Sequence, residues 1–208
     1  MKDLLEHRIV DILIDVYNKN IINPCLNERY LHHHFTEKIQ KEYPIVYNDL
    51  NKCKLHPEWA TANQYRLNGG KYKKKGNKYE IDENGTSGFI DFALGDYKNP
   101  EIVVEFKCNK SWQFQSIVFD YMKLMDKYNP LKKAISISII YRDKKLSNKL
   151  TLNKINESIT ELSNRLNGRM DINRPFLFWI IEIAYNNQHK ESWYCRNLNE
   201  KFLNGIPQ

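Results

Sequence analysis

GFIDFALGDYKNPEIVVEFKCNKSW, residues 88–112, decides the fold of this chain. It holds two apolar, β-branched and aromatic runs, 88–94 and 101–108, around the turn-forming GDYKNP. Two such runs joined by a short polar turn predict an antiparallel hairpin. With residues 96–100 as the loop, Gly95 faces Glu101, and counting inward places Asp91 across from Glu105. Directly opposed side chains have Cβ atoms about 4.5–5.5 Å apart, and like charges there repel. Glu105 and Lys107 are two residues apart and share a face, which Asp91 joins. Ile90, Phe92, Val104 and Phe106 are expected on the other face. The hairpin thus presents two carboxylates and an ammonium together on an otherwise apolar element.

Upstream, Leu4, Leu5, Ile9, Ile12, Leu13, Val16 and Tyr17 recur at helical spacing and predict a helix over 3–18. Asn27 is a good N-cap for a second helix that carries Glu28 in its first turn and stops before Pro44. Its apolar stripe is Leu31, Phe35 and Ile39. Glu28 sits at the end of that stripe and Glu37 is offset from it. Residues 44–68 read as loop plus a short helix after Pro57, and 71–82 as a hairpin around Gly76-Asn77. Downstream, a helix over about 111–127, a strand at 134–141, a helix near 152–167 and strands at 175–184 and 191–196 are expected. Meander strands followed by a crossover helix imply an α/β fold with a mixed sheet flanked by helices. No linker divides the chain, so residues 1–208 are expected to form one domain.

A divalent cation is a good reason to hold two carboxylates together. Mg²⁺ is hard, prefers oxygen and is often bound by one or two carboxylates. A neighbouring lysine can orient or activate water and stabilise charge developing on phosphorus. Asp91 followed by Glu105-Phe106-Lys107 at the end of an apolar strand resembles the PD-(D/E)xK nuclease superfamily. That resemblance implies a restriction-endonuclease-like αβββαβ core. It maps onto 27–42, about 78–82, 88–94, 101–108, 111–127 and 134–141, within a core of 27–142. An N-terminal helix in 1–26 and a helix with strands in 150–208 are then additions. Ile90 stands where the motif's name has proline, and no QxxxY follows the ExK strand, so the RecB-like branch is not supported.

The resemblance implies Mg²⁺-dependent phosphodiester hydrolysis, with Mn²⁺ as a substitute. Asp91, Glu105 and the backbone carbonyl of Phe106 would hold the ion, and Lys107 would position or activate water. NERYLHHHF resembles the first helix of such nucleases, which gives Glu28 the role of completing the metal site, with Glu37 as the fallback acid. Gln113 or Gln115 is a candidate to line the site. The implied partner is DNA rather than RNA, in a restriction, defence or mobile-element setting. A homodimer would supply one site per strand. The alternative is a non-catalytic nucleic-acid-binding protein of the same fold.

The charge balance agrees in sign. The chain carries 32 Lys plus Arg against 25 Asp plus Glu, a net +7. Lysine supplies most of this, and arginine, the better phosphate fork, is scarce. Five lysines, Lys71, Lys73, Lys74, Lys75 and Lys78, gather just before the acidic strands and could neutralise phosphates through counterion release. An aggregation-resistant solvated edge explains them equally well. No apolar run approaches the ~18 residues of a membrane span. The N-terminus MKDLLEHRIVDILIDVY is charged throughout, unlike a signal peptide. Cys25, Cys53, Cys108 and Cys195 form no CxxC pair, so neither a zinc site nor a disulfide framework is expected. A reduced, cytoplasmic protein follows. His32–His34 point in different directions on a helix and together cannot chelate one ion; they read as a polar face.

Overall fold

The computed structural model describes residues 4–18, 28–46, 49, 52–68, 78–81, 86–109, 114–142, 148–166, 168–184, 190–196 and 201–207. The elements in chain order are α1 (Leu4–Asn18), α2 (Glu28–Ile39), β1 (Leu55–Asn68), β2 (Lys78–Ile81), β3 (Thr86–Gly95) and β4 (Pro100–Asn109). They continue with α3 (Phe114–Met125), β5 (Ala134–Arg142), α4 (Asn148–Arg165), β6 (Phe176–Ala184), β7 (Lys190–Cys195) and β8 (Leu203–Asn204). The strands form one mixed sheet in the order β2-β1-β3-β4-β5-β6-β7-β8. β4–β5 and β5–β6 are parallel, and the other pairs are antiparallel. Parallel neighbours need a crossover connection, which α3 and α4 provide.

Helices cover both faces. α1 and α2 bury Ile9, Leu13, Leu31, Phe35 and Ile39 against Phe92, Val104, Phe106, Ile135, Ile137 and Trp179. α3 and α4 bury Ile117, Val118, Met122, Ile155 and Ile159 against Val103, Ala134, Phe178 and Ile180. β5 and β6 are buried on both sides, which explains why AISISII and FLFWII read as nearly continuous apolar runs. In α2, Leu31, Phe35 and Ile39 are all buried, and each contributes roughly 1.5–3 kcal/mol. That anchorage fixes the direction in which Glu28 and His32 project.

Two expectations fail in the region before the hairpin. Residues 55–68 are not loop and helix but the long strand β1, which pairs with β3 from Leu55↔Leu94 to Tyr65↔Thr86. Its alternation was masked by Pro57 and by a bulge between Ala60 and Gln64. Residues 78–81 pair with 65–68, and β2 is an edge strand among the described residues. β1 thus takes the place beside β3 that was expected of 78–82. The expected Gly76-Asn77 turn lies outside the described residues.

The hairpin register holds where it matters. Phe92↔Val104 and Ala93↔Val103 continue the count that sets Asp91 opposite Glu105. A shift at the turn pairs Gly95 with Pro100 instead of Glu101. Gly95 takes φ 102°, a left-handed value suited to glycine. One side chain departs from strict alternation. Ile90 lies in the α3 layer with Trp59, whereas Phe92 lies in the α2 layer. Between the pairs Pro57↔Phe92 and Trp59↔Ile90 lie Glu58 on β1 and Asp91 on β3. Glu58 has φ 51°, an uncommon left-handed value for a residue other than glycine, at the place where the layers of Ile90 and Phe92 diverge.

Candidate active site

The ladder between β3 and β4 runs from Gly95↔Pro100 to Phe92↔Val104. Just beyond it, side chains replace backbone pairing. Asp91 Oδ2 accepts a 2.6 Å hydrogen bond from the Phe106 amide, and the Asp91 amide lies 3.3 Å from Glu105 Oε2. The two strands part at this fork, and residues from α2 and α3 converge there.

Glu105 is 2% exposed. Its Oε1 receives Lys123 Nζ at 2.8 Å and Lys107 Nζ at 3.1 Å. Lys107 Nζ also reaches the Phe106 carbonyl at 3.0 Å, Asp120 Oδ2 at 3.3 Å and Glu28 Oε1 at 3.8 Å. Lys123 Nζ donates to the Phe89 carbonyl at 2.8 Å and pairs with Asp120 Oδ1 at 2.9 Å. From α2, Glu28 Oε2 lies 3.4 Å from the Cys108 amide, and His32 Nε2 lies 3.4 Å from Asp91 Oδ2. The His32 ring packs edge-on against Phe92, with centroids 5.2 Å apart.

Four carboxylates therefore meet two ammonium groups in a largely buried space. The titration properties follow from that surplus. Burial, and then Asp120, push Glu105 up to about 8 against the pull of Lys123 and Lys107. Burial would lower Lys107, but Asp120, Glu105, Glu28 and Asp91 outweigh it and hold the ammonium above its ordinary value. Lys123 is raised in the same way by Glu105 and Asp120 against its own burial. Asp91 goes the other way. Burial would raise it, yet His32, the Phe106 amide and Lys107 keep it below the usual carboxylate range.

Asp91, Glu105, Lys107 and Glu28, together with the Phe106 carbonyl, thus lie together at the fork. Glu28, His32 and Asp91 each offer a ligand atom, and these atoms lie within 4.8 Å of one another. Two carboxylates and an imidazole form a donor set suited to a divalent cation. Glu37 is exposed on α2. At ~100° per residue it stands half a turn away from Glu28. Lys71, Lys73, Lys74, Lys75 and Gln113 lie outside the described residues. So do the side chains of Lys78, which opens β2, and Gln115, in the first turn of α3.

Sequence reasoning missed three residues of the cluster. His32 was read only as part of a histidine run whose members diverge, as they do: His33 is exposed and His34 lies 3.7 Å from Asp15. Its i+4 spacing from Glu28 was the available signal. Asp120 and Lys123 are charged positions among the buried Ile117, Val118, Tyr121, Met122 and Leu124 of α3, an anomaly that points to internal partners. No protein-family model, curated protein or solved structure matches this chain. Among the described residues, no helix is long and apolar enough to cross a membrane.

Proposed function

We propose that the chain is a metal-dependent nuclease hydrolysing phosphodiester bonds, with DNA as its substrate, on a restriction-endonuclease-like core. One observation carries the reading: Asp91, Glu105 and Lys107 meet Glu28 at the fork between β3 and β4, where the Lys107 ammonium lies 3.1 Å from Glu105 and 3.8 Å from Glu28. The gathering of a histidine and two acids at the same fork supports a role for Mg²⁺ or Mn²⁺. A cation bound there supplies an acidified water and positive charge for a phosphate.

The chain's own groups divide the remaining work. Glu28, His32 and Asp91 would hold the ion, with Asp91 oriented by the Phe106 amide. Lys107 remains an ammonium, so it donates hydrogen bonds and does not accept a proton from water. It can orient water and stabilise charge developing on the phosphate oxygens. Asp120 and Lys123 hold Glu105 and Lys107 in place from the α3 side. The lysines ahead of β3 would meet the phosphate backbone, which sets register but reads no bases.

The test is plasmid cleavage by the purified chain with Mg²⁺ or Mn²⁺, beside Asp91→Asn and Lys107→Ala. Wild type should nick or linearise DNA. Lys107→Ala should lose about 10²–10³-fold, the scale of removing one preorganised donor. Intact DNA with both ions, or full activity in both variants, rejects the reading.

A further inference from the structure

The two lysines at the fork occupy cages made of oxygen. Lys107 Nζ faces the Phe106 carbonyl, Glu105 Oε1 and Asp120 Oδ2 within 3.3 Å. Lys123 Nζ faces the Phe89 carbonyl, Glu105 Oε1 and Asp120 Oδ1 within 2.9 Å. Carboxylate and carbonyl oxygens are also the donors a hard divalent cation takes. Asp120 Oδ2 is buried without a hydrogen bond and turned toward Lys107, in a side chain that is 4% exposed. The four carboxylates outnumber the two ammonium groups, and a bound cation offsets the negative charge left over. Glu28, His32 and Asp91 offer ligand atoms within 4.8 Å of one another, and the ammonium beside them stands farther off than in the two cages, with Lys107 Nζ 3.8 Å from Glu28 Oε1 and His32 Nε2 3.4 Å from Asp91 Oδ2.

We infer that this site takes a single divalent cation, held by Glu28, His32 and Asp91, and that Lys107 and Lys123 stand as fixed cations in the neighbouring oxygen cages. The inference rests on the metal-dependent reading above and specifies the stoichiometry of that same site. It changes the role expected of Glu105. That residue becomes the holder of two ammonium groups and not a shared ligand of the ion. The nitrogen donor also moves the preference from Mg²⁺ toward Mn²⁺, because imidazole suits transition-metal ions and Mg²⁺ prefers oxygen alone.

The experiment titrates Mn²⁺ into the full chain and reads free Mn²⁺ by electron paramagnetic resonance. Wild type should bind one ion. His32→Ala should weaken binding by at least about tenfold, since even outer-shell partners of a ligand are worth roughly 10–100-fold. Glu105→Gln should leave the affinity within about threefold, well below that range. Lys107→Met, which frees Glu105 Oε1, the Phe106 carbonyl and Asp120 Oδ2, should take up a second ion; Lys123→Met opens the other cage and is a parallel arm. Two ions of similar affinity in wild type overturn the inference and leave the metal-dependent reading standing. So does a Glu105→Gln loss as large as that of His32→Ala, or a single ion in both lysine variants when their circular dichroism matches wild type. Failure of wild type to bind Mn²⁺ at all removes the metal-dependent reading together with the inference.

Discussion

Lys123→Met tests whether the buried ion cluster is cooperative. The substitution keeps the volume of the side chain and removes its charge. Lys123 Nζ serves three oxygens, Glu105 Oε1 at 2.8 Å, Phe89 O at 2.8 Å and Asp120 Oδ1 at 2.9 Å, in a side chain 6% exposed. Removing one partner of a buried pair costs about 3–5 kcal/mol, because the other charge stays buried. Lys107 remains 3.1 Å from the same Glu105 oxygen, so the lower end, about 3 kcal/mol, applies. In a chain of 208 residues that is a fall in Tm of about 6–12 °C, at roughly 2–4 °C per kcal/mol. Adding Glu105→Gln removes the buried carboxyl that lost its partner. The double variant should therefore recover about 1.5 kcal/mol or more relative to the sum of the two singles. Urea unfolding followed by tryptophan fluorescence measures this, since Trp59, Trp179 and Trp193 are buried. A Lys123→Met cost under about 1 kcal/mol, or a double variant equal to the sum of the singles, refutes the claim that these groups are coupled.

Two further substitutions test how the site is held in place. Glu6 anchors α1 through Lys133 and Arg196. Burial would raise its pKa, but those two bonds outweigh it and hold it below the ordinary 4.5. A carboxylate whose folded value is depressed contributes stability above its unfolded value and loses it as pH falls through the folded one. Glu6→Gln should thus cost about 1.5–3 kcal/mol at pH 7, and the gap should close in strong acid; a gap in the urea midpoint that is the same at both pH values argues against it. Gly95→Ala should cost about 1–3 kcal/mol. Its Cβ would lie 3.1 Å from Glu101 Cγ and 3.2 Å from the Glu101 amide at φ 102°, and an unchanged urea midpoint would show that the turn yields more easily than this geometry implies.

The parts of the site legible in the sequence are those set by local rules. Asp91 opposite Glu105 follows from a two-residue period and a short turn, and it survived a one-residue shift at Gly95 because the shift falls outside the inner pairs. Glu28 follows from a helix whose buried stripe is spaced by 4. What escaped reading depends on contacts remote along the chain. β1 carries Pro57, a left-handed Glu58 and a bulge, each of which breaks the alternation that would mark a strand; only pairing with β3 makes it one. Beside it, Ile90 packs in the α3 layer and the Phe89 carbonyl accepts from Lys123, 34 residues away. Asp120 and Lys123 therefore look like ordinary i, i+3 helix charges until the sheet folds over them. The irregularity that hid β1 from the sequence thus lies on the strand beside the fork, with Glu58 between the pairs that flank Asp91.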